Sequence, residues 1–148
     1  MAAVPLASPL HATSVMISGR VLLLTGGSGC GKSDLALRLI DRGALLVSDD
    51  YTDLSTRDGV LYASPPARIA GQMEVRGIGI VDMAFAGEGP VALILDLDRA
   101  PDRMPDTPLP MTPLCGVDIP VIAFAALEAS SAIKAEQALL RHGLGGTT

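Results

Sequence analysis

The apolar positions of this chain change period several times, and each change marks an element. Val21-Leu22-Leu23-Leu24 is an unbroken apolar run, the pattern of a strand covered on both faces. Leu35, Ala36, Leu39 and Ile40 then recur at helical spacing, with Asp34, Arg38, Asp41 and Arg42 elsewhere on the wheel. An acid in the first turn and a base in the last suit the helix dipole, and Gly43 supplies the stop. Upstream, His11 to Ile17 alternates as a strand and turns through Ser18-Gly19-Arg20 into the apolar run, a hairpin. Downstream, Ala44 to Ser48 is a short apolar strand, and two runs flank Asp58-Gly59, the strongest two-residue hairpin signal in the chain. Met73 to Asp82 reads as one β-branched run whose Gly77 and Gly79 suggest a bulge or a close backbone approach. Pro90 to Asp98 and Ile119 to Phe124 are further strands, separated by a proline-rich stretch, Arg99 to Pro113, expected as a long surface loop. Ala125 to Arg141 is an alanine-rich helix ending at His142-Gly143.

These elements predict an α/β fold. Its sheet has strands at 15–17, 21–25, 44–48, 75–81, 91–96 and 119–124 and a hairpin at 54–63, with helices at 32–42 and 125–142. At 148 residues the chain has the size of one domain, expected over 11–143, after a loose arm at 1–10 and before a frayed tail at 144–148.

Composition narrows the picture. Half of the chain is hydrophobic, yet it has two Tyr, two Phe and no Trp, so the core must be built from aliphatic side chains. A net charge of −5 without any Lys/Arg cluster argues against a nucleic-acid footprint. Cys30 and Cys115 stand far apart in no metal-binding pattern and read as reduced thiols. The start lacks the basic and apolar regions of a signal peptide, and no run approaches the roughly 20 apolar residues of a membrane span, so a cytoplasmic protein is expected.

The chemistry centres on Gly26-Gly27-Ser28-Gly29-Cys30-Gly31-Lys32-Ser33. This is G-x-x-x-x-G-K-[ST], the P-loop pattern, and it lies between an apolar strand and a helix as the motif requires. Glycines let successive amides turn toward phosphate oxygens, and the helix that follows adds its own unpaired amides. Lys32 then supplies a mobile positive charge for the outer phosphates, and the Ser33 hydroxyl an oxygen for Mg²⁺. A nucleoside triphosphate is the expected ligand.

Two strands end in acids that could serve it. If the strand at 44–48 lies in the sheet of the P-loop strand, directly or one strand away, Asp49 and Asp50 come to the same sheet edge as the loop. Successive side chains alternate along a strand, so the pair divides its labour: one acid for Mg²⁺, the other to take a proton from an attacking hydroxyl. The strand ending at Asp96 is the rival for that position. Glu74 and Arg76 share a parity, either as a surface ion pair or as part of a site, and His11 by itself reads as a surface residue.

Taken together, Gly26 to Ser33, Leu46-Val47-Ser48-Asp49-Asp50 and Met73-Glu74-Val75-Arg76-Gly77-Ile78-Gly79-Ile80 resemble the catalytic domain of bacterial HPr kinase/phosphorylase. The resemblance runs from about His11 to about Ala126. It implies transfer of phosphate from ATP, with Mg²⁺, to a serine of the small phosphocarrier protein HPr, and the reverse phosphorolysis. By similarity, His11 is an active-site histidine, Lys32 the loop lysine, and Asp50 the residue that takes the serine proton. Ser33 and Glu74 match metal positions, with Asp49 a further metal candidate, and Arg103 matches a catalytic arginine. The family assembles into hexamers, so a homo-oligomer is implied. The chain departs from the pattern in lacking the N-terminal domain of the longer enzymes and an Arg-Pro-Gly-Arg stretch before the final strand, where it reads Leu114-Cys115-Gly116-Val117-Asp118. That stretch serves dephosphorylation in the family, so the resemblance implies the kinase direction and leaves phosphorolysis open. A nucleotide-gated regulatory module and a P-loop kinase of small molecules are the alternatives.

Overall fold

A computed structural model describes residues 8–145. Its core explains why the central run carries no polar residue. Strand β1 (Ala12–Ile17) turns back into β2 (Arg20–Thr25), and the four apolar residues of β2 are fully buried. Leu22 and Leu24 join one core cluster with Leu35 and Leu39 of helix α1 (Lys32–Asp41) and Ala135 and Leu139 of helix α2 (Ser131–His142). Val21 and Leu23 point the other way, into a second cluster with Leu54, Leu61 and Ile119. Both faces are therefore covered, and each fully buried Leu contributes about 1.5–3 kcal/mol.

The remaining strands are β3 (Leu45–Ser48), β4 (Asp53–Arg57), β5 (Val60–Ser64), β6 (Gln72–Val75), β7 (Gly79–Asp82), β8 (Gly89–Asp96), β9 (Met111–Leu114) and β10 (Val117–Ala123). The main sheet runs β3-β1-β2-β8-β10-β9, with β5 pairing to β8 and β4 to β5. Because β3 and β2 each pair antiparallel with β1, they run parallel to each other. Strands β8 and β10 also run parallel to β2, with Asp96 opposite both Thr25 and Ala123. The carboxyl ends of β2, β3, β8 and β10 thus share one rim, and the P-loop leaves from it. A register shift between Val21 and Leu22 lets Val91 and Ile94 of β8 face the same cluster despite their odd spacing.

Three two-residue turns have both residues left-handed: Ser18-Gly19, Asp58-Gly59 and Cys115-Gly116. This is the geometry whose twist matches a hairpin. The first two were expected. The third makes β9–β10 a hairpin and corrects the loop expected over 99–113, whose last residues form β9. Pro113 argued against a strand there, but β9 pairs only with β10, and an edge strand tolerates a residue without an N–H.

Two other expectations are corrected. The strand expected over 75–81 is the tip of a separate hairpin, β6–β7: Val75 pairs with Gly79, Ile78 N–H donates to the Val75 carbonyl at 2.9 Å, and Gly77 has φ 85°. Its glycines make a turn, not a bulge. The helix expected over 125–142 begins at Ser131. The reason is tertiary: the Arg38 guanidinium donates to the carbonyls of Ala126 and Glu128, and the Ser131 hydroxyl donates to the Ala125 carbonyl, so these groups are satisfied without a helix.

Of the arm expected over 1–10, residues 1–7 lie outside the described residues, whereas Leu10 exchanges backbone hydrogen bonds with Thr52. Residues 146–148 of the expected tail also lie outside them. Among the described residues no helix is long and apolar enough to cross a membrane.

Candidate active site

The loop between β2 and α1 is shaped by glycine where a side chain would be strained. Gly26 has φ 150°, and a Cβ there would lie 2.6 Å from Cys30 Sγ. Gly31 has φ 100°, and its Cβ would lie 2.9 Å from a methyl of Leu127. The positive φ strains any residue with a side chain at either position, and the neighbouring side chains would have to shift. Gly31 also starts the helix, since its carbonyl accepts from Leu35 N–H at 2.9 Å. Lys32 is buried, and its ammonium donates to the carbonyls of Gly26 at 2.8 Å and Gly27 at 3.1 Å. Gly27, Ser28 and Gly29 are open to solvent.

Asp49, at the end of β3, is the knot that ties the rim together. One carboxylate oxygen accepts from the Ser33 hydroxyl at 2.6 Å and from Thr13 at 3.3 Å; the other accepts from the backbone N–H of Glu74 at 3.0 Å. Four segments of chain meet on this buried acid: β1, the start of α1, β3 and β6. The N–H of Asp50 donates to the same Thr13 hydroxyl at 3.0 Å, so Thr13 links both acids.

Asp50 faces the opposite way, into solvent. Its φ of 69° is a left-handed conformation rare outside glycine, closed by Tyr51 N–H donating to the Asp49 carbonyl at 2.8 Å. A non-glycine residue held there costs on the order of 1–3 kcal/mol, and such strain collects at functional positions. Asp50 Oδ1 lies 2.9 Å from His11 Nε2, and the His11 ring stacks on Tyr51 with centroids 5.1 Å apart. The imidazole is thereby held by a carboxylate at one nitrogen and an aromatic face.

The two acids expected to divide their labour point apart, Asp49 toward Ser33 and Asp50 toward His11. Asp50 lies on the loop's side of the sheet, because its neighbour is bonded to Ser33. The Ser33 hydroxyl selects Asp49 and not Asp96, whose carboxylate accepts from the N–H of Asp98 at 3.0 Å. Glu74 joins through its backbone, and its side chain is exposed. Arg103 is not brought in: it sits on the exposed loop before β9 and has no hydrogen-bonded partner among the described residues. The Leu114 to Asp118 stretch is the β9–β10 turn, at the end of β10 away from the rim, so the residues that replace the family's arginines here do not face the P-loop.

Sequence reasoning passed over Thr13, Tyr51 and Asp98. Thr13 had a legible signal, a polar residue two places after His11 and on its parity in a strand. Tyr51 and Asp98 had none, since their contacts come from chain turns after the strands end.

Two neighbouring oxygens, the Ser33 hydroxyl and the Asp49 carboxylate, suit a hard cation such as Mg²⁺, which takes one or two carboxylates while keeping water. Among the described residues no cluster of three or more acid, His or Cys side chains backs them, and Glu74 meets Asp49 through its N–H. The glycine loop beside them has the bare backbone that a phosphate chain needs, with the Gly27 N–H donating to Asp98 in this structure.

Comparison with known proteins gives the chain's family. The family model described as HPr Serine kinase C-terminal domain matches residues 4–92, more than half of the chain. The chain belongs to this family. The HPr kinase/phosphorylase of Clostridium botulinum is 50% identical over 74 residues, which cover 50% of this chain and 24% of that protein. That of Clostridium beijerinckii is 49% identical over 74 residues, with the same coverage. The chain spans about a quarter of the length of these curated relatives. A solved structure of the Hpr(Ser) kinase/phosphatase from Coxiella burnetii superposes with a TM-score of 0.76 at 30% identity, covering 88% of this chain and 92% of that one. Family membership accounts for the P-loop, the Asp49-Asp50 pair and the β6–β7 hairpin occurring together, since all three lie within the matched residues.

Proposed function

We propose that this chain is a serine kinase that transfers the terminal phosphoryl group of ATP to a serine of an HPr-type phosphocarrier protein. The observation that carries the reading is the division of the two acids: Asp49 is bonded to Ser33 of the loop at 2.6 Å, while Asp50 stands on the open side against His11 at 2.9 Å. A buried oxygen pair suits a cation, and an exposed carboxylate suits an incoming alcohol.

Ser33 and Asp49, with Glu74, would hold Mg²⁺, which would offset the charge of the phosphates, and bound ATP would supply the phosphoryl group. The chain's own residues do the rest. The amides of Gly26 to Ser33 and the Lys32 ammonium hold the phosphates in place, and Asp50 accepts the proton of the partner's serine at its carboxylate. His11 orients Asp50 through Nε2 and receives the proton in turn, its ring fixed by Tyr51. Positioning and electrostatics supply most of the rate in such a transfer. By resemblance Arg103, on the loop that follows β8, belongs to the same reading. A cytoplasmic homo-oligomer, hexameric by resemblance, belongs to the same reading.

The test is direct. Purified chain is incubated with ATP, Mg²⁺ and HPr, and phosphoserine is read by mass spectrometry, with Lys32→Ala and an HPr whose serine is replaced by alanine as controls. Phosphoserine on the native acceptor only, lost in Lys32→Ala, is the expected result. Phosphorylation of neither protein, with nucleotide still bound, would favour the second reading, a nucleotide-gated module. One observation supports that alternative: the loop's lysine and one of its amides are bonded to the chain itself.

A further inference from the structure

The P-loop already holds an anion, and the anion is its own. The N–H of Gly27, one of the donors that the loop would offer to phosphate, donates to both oxygens of Asp98, at 3.1 and 3.0 Å. The fit is close: a Cβ at Gly26 would stand 3.2 Å from an Asp98 oxygen, so the same bare backbone that admits phosphate admits this carboxylate. Lys32, the loop's cation, is turned onto the carbonyls of Gly26 and Gly27. Donor and cation are both satisfied from within.

Burial does not force the contact, since Asp98 is exposed. Its backbone, by contrast, is fixed beside the loop. Leu97 N–H donates to the Thr25 carbonyl at 2.8 Å, and Asp98 N–H to the Asp96 carboxylate at 3.0 Å. Rotation about the side chain alone would release the carboxylate, with no loop to open.

We propose that Asp98 is a tethered competitor of the nucleotide: its carboxylate closes the P-loop on Gly27, and a bound polyphosphate must displace it. The proposal rests on reading Gly26 to Ser33 as the nucleotide site. While Asp98 stays, an incoming phosphate meets a like charge and finds one amide taken. The apparent affinity of the site is then the intrinsic affinity reduced by the fraction of molecules whose loop is open. A loop closed in nine molecules of ten lowers affinity by about tenfold. Asp98 thereby sets the nucleotide concentration at which the enzyme fills.

Calorimetric titration with ADP, which avoids turnover, tests this on the full chain for wild type, Asp98→Asn, Asp98→Ala and Lys32→Ala. Both Asp98 variants are expected to bind about tenfold more tightly, about 1.4 kcal/mol, and Lys32→Ala to lose binding. In ligand-free Asp98→Ala the Gly27 amide proton resonance should move upfield, as a donor that has lost a carboxylate. Equal affinity in wild type and the Asp98 variants, with binding still lost in Lys32→Ala, overturns the latch and leaves the nucleotide site standing. Weaker binding in both Asp98 variants also overturns it and makes Asp98 a nucleotide ligand. Absence of ADP binding in all four proteins overturns the reading of the loop and the latch with it.

Discussion

Two apolar strands of the sheet end in acids on the same rim, and their ends differ in every respect that matters. The end of β3 is braced from all sides: Asp49 is buried and takes hydrogen bonds from Ser33, Thr13 and Glu74. The end of β8 is open: Asp96 caps its own turn, and exposed Asp98 reaches across to one amide of the P-loop. In sequence the two are near equivalents, an apolar run closed by carboxylates. What separates them is the neighbour. Strand β3 lies beyond β1, so its end meets the hydroxyl at the start of α1, while β8 lies directly against β2 and meets the glycines of the loop. A buried carboxylate with three donors cannot move cheaply. An exposed one can, and regulation by displacement becomes possible there.

The largest expected effect tests the braced end. Asp50→Asn keeps the size and the contact with His11 but removes the proton acceptor; phosphoryl transfer to HPr should fall by roughly 10²-fold or more, with ADP affinity little changed. A transfer rate near that of wild type would show that no proton passes through Asp50. Asp49→Ala should affect stability as well as rate. It leaves the Glu74 N–H and the hydroxyls of Thr13 and Ser33 without their acceptor, at a cost of about 1–3 kcal/mol, readable as a lower urea midpoint, and Mg²⁺ should no longer tighten nucleotide binding. If the two strand ends were equivalent, Asp96→Ala would do the same; the expectation is that it leaves the Mg²⁺ effect intact.

The smallest effect lies outside the rim and serves as its control. Arg57 donates to both oxygens of Glu88 and stacks on Tyr62, and its hydrogen bond holds the Glu88 carboxyl below its ordinary value of 4.5. A lowered carboxyl stabilises the fold above its ordinary value, and that contribution disappears as pH falls through the lower value of the folded state. Both groups are exposed, so the effect is small. The urea midpoint of wild type should therefore drop slightly more than that of Glu88→Gln as pH is lowered from about 5 toward 3, with transfer activity the same in both proteins at neutral pH.

Most elements were legible because local signals and long-range packing agree in them. The β2 run, the α1 stripe and the Asp58-Gly59 turn each stand where the pattern put them. The errors have different causes, and in one of them a remote group overrode a local preference. Alanine-rich 125–130 has helical propensity, yet Arg38, from a distant helix, takes the carbonyls that a helix would use. Gly77 and Gly79 were seen as unusual, but a bulge and a turn draw on the same freedom of backbone, and only the pairing of β6 with β7 distinguishes them. Pro113 forbids a central strand and permits an edge one, and edges are known only once the sheet order is known.

The sequence by itself determined that a glycine-rich loop of P-loop spacing joins a doubly covered strand to an amphipathic helix, because spacing, glycine content and apolar period are local quantities. Only the tertiary structure decided which of two acid-tipped strands delivers its carboxylate to Ser33 and which lays one on Gly27. That choice depends on strand order, a non-local property set by how the two faces of the sheet bury their apolar side chains. His11 and Asp50, 39 positions apart in the chain, meet for the same reason: β1 lies between β2 and β3, and burial of Val15 and Leu46 in one core holds it there.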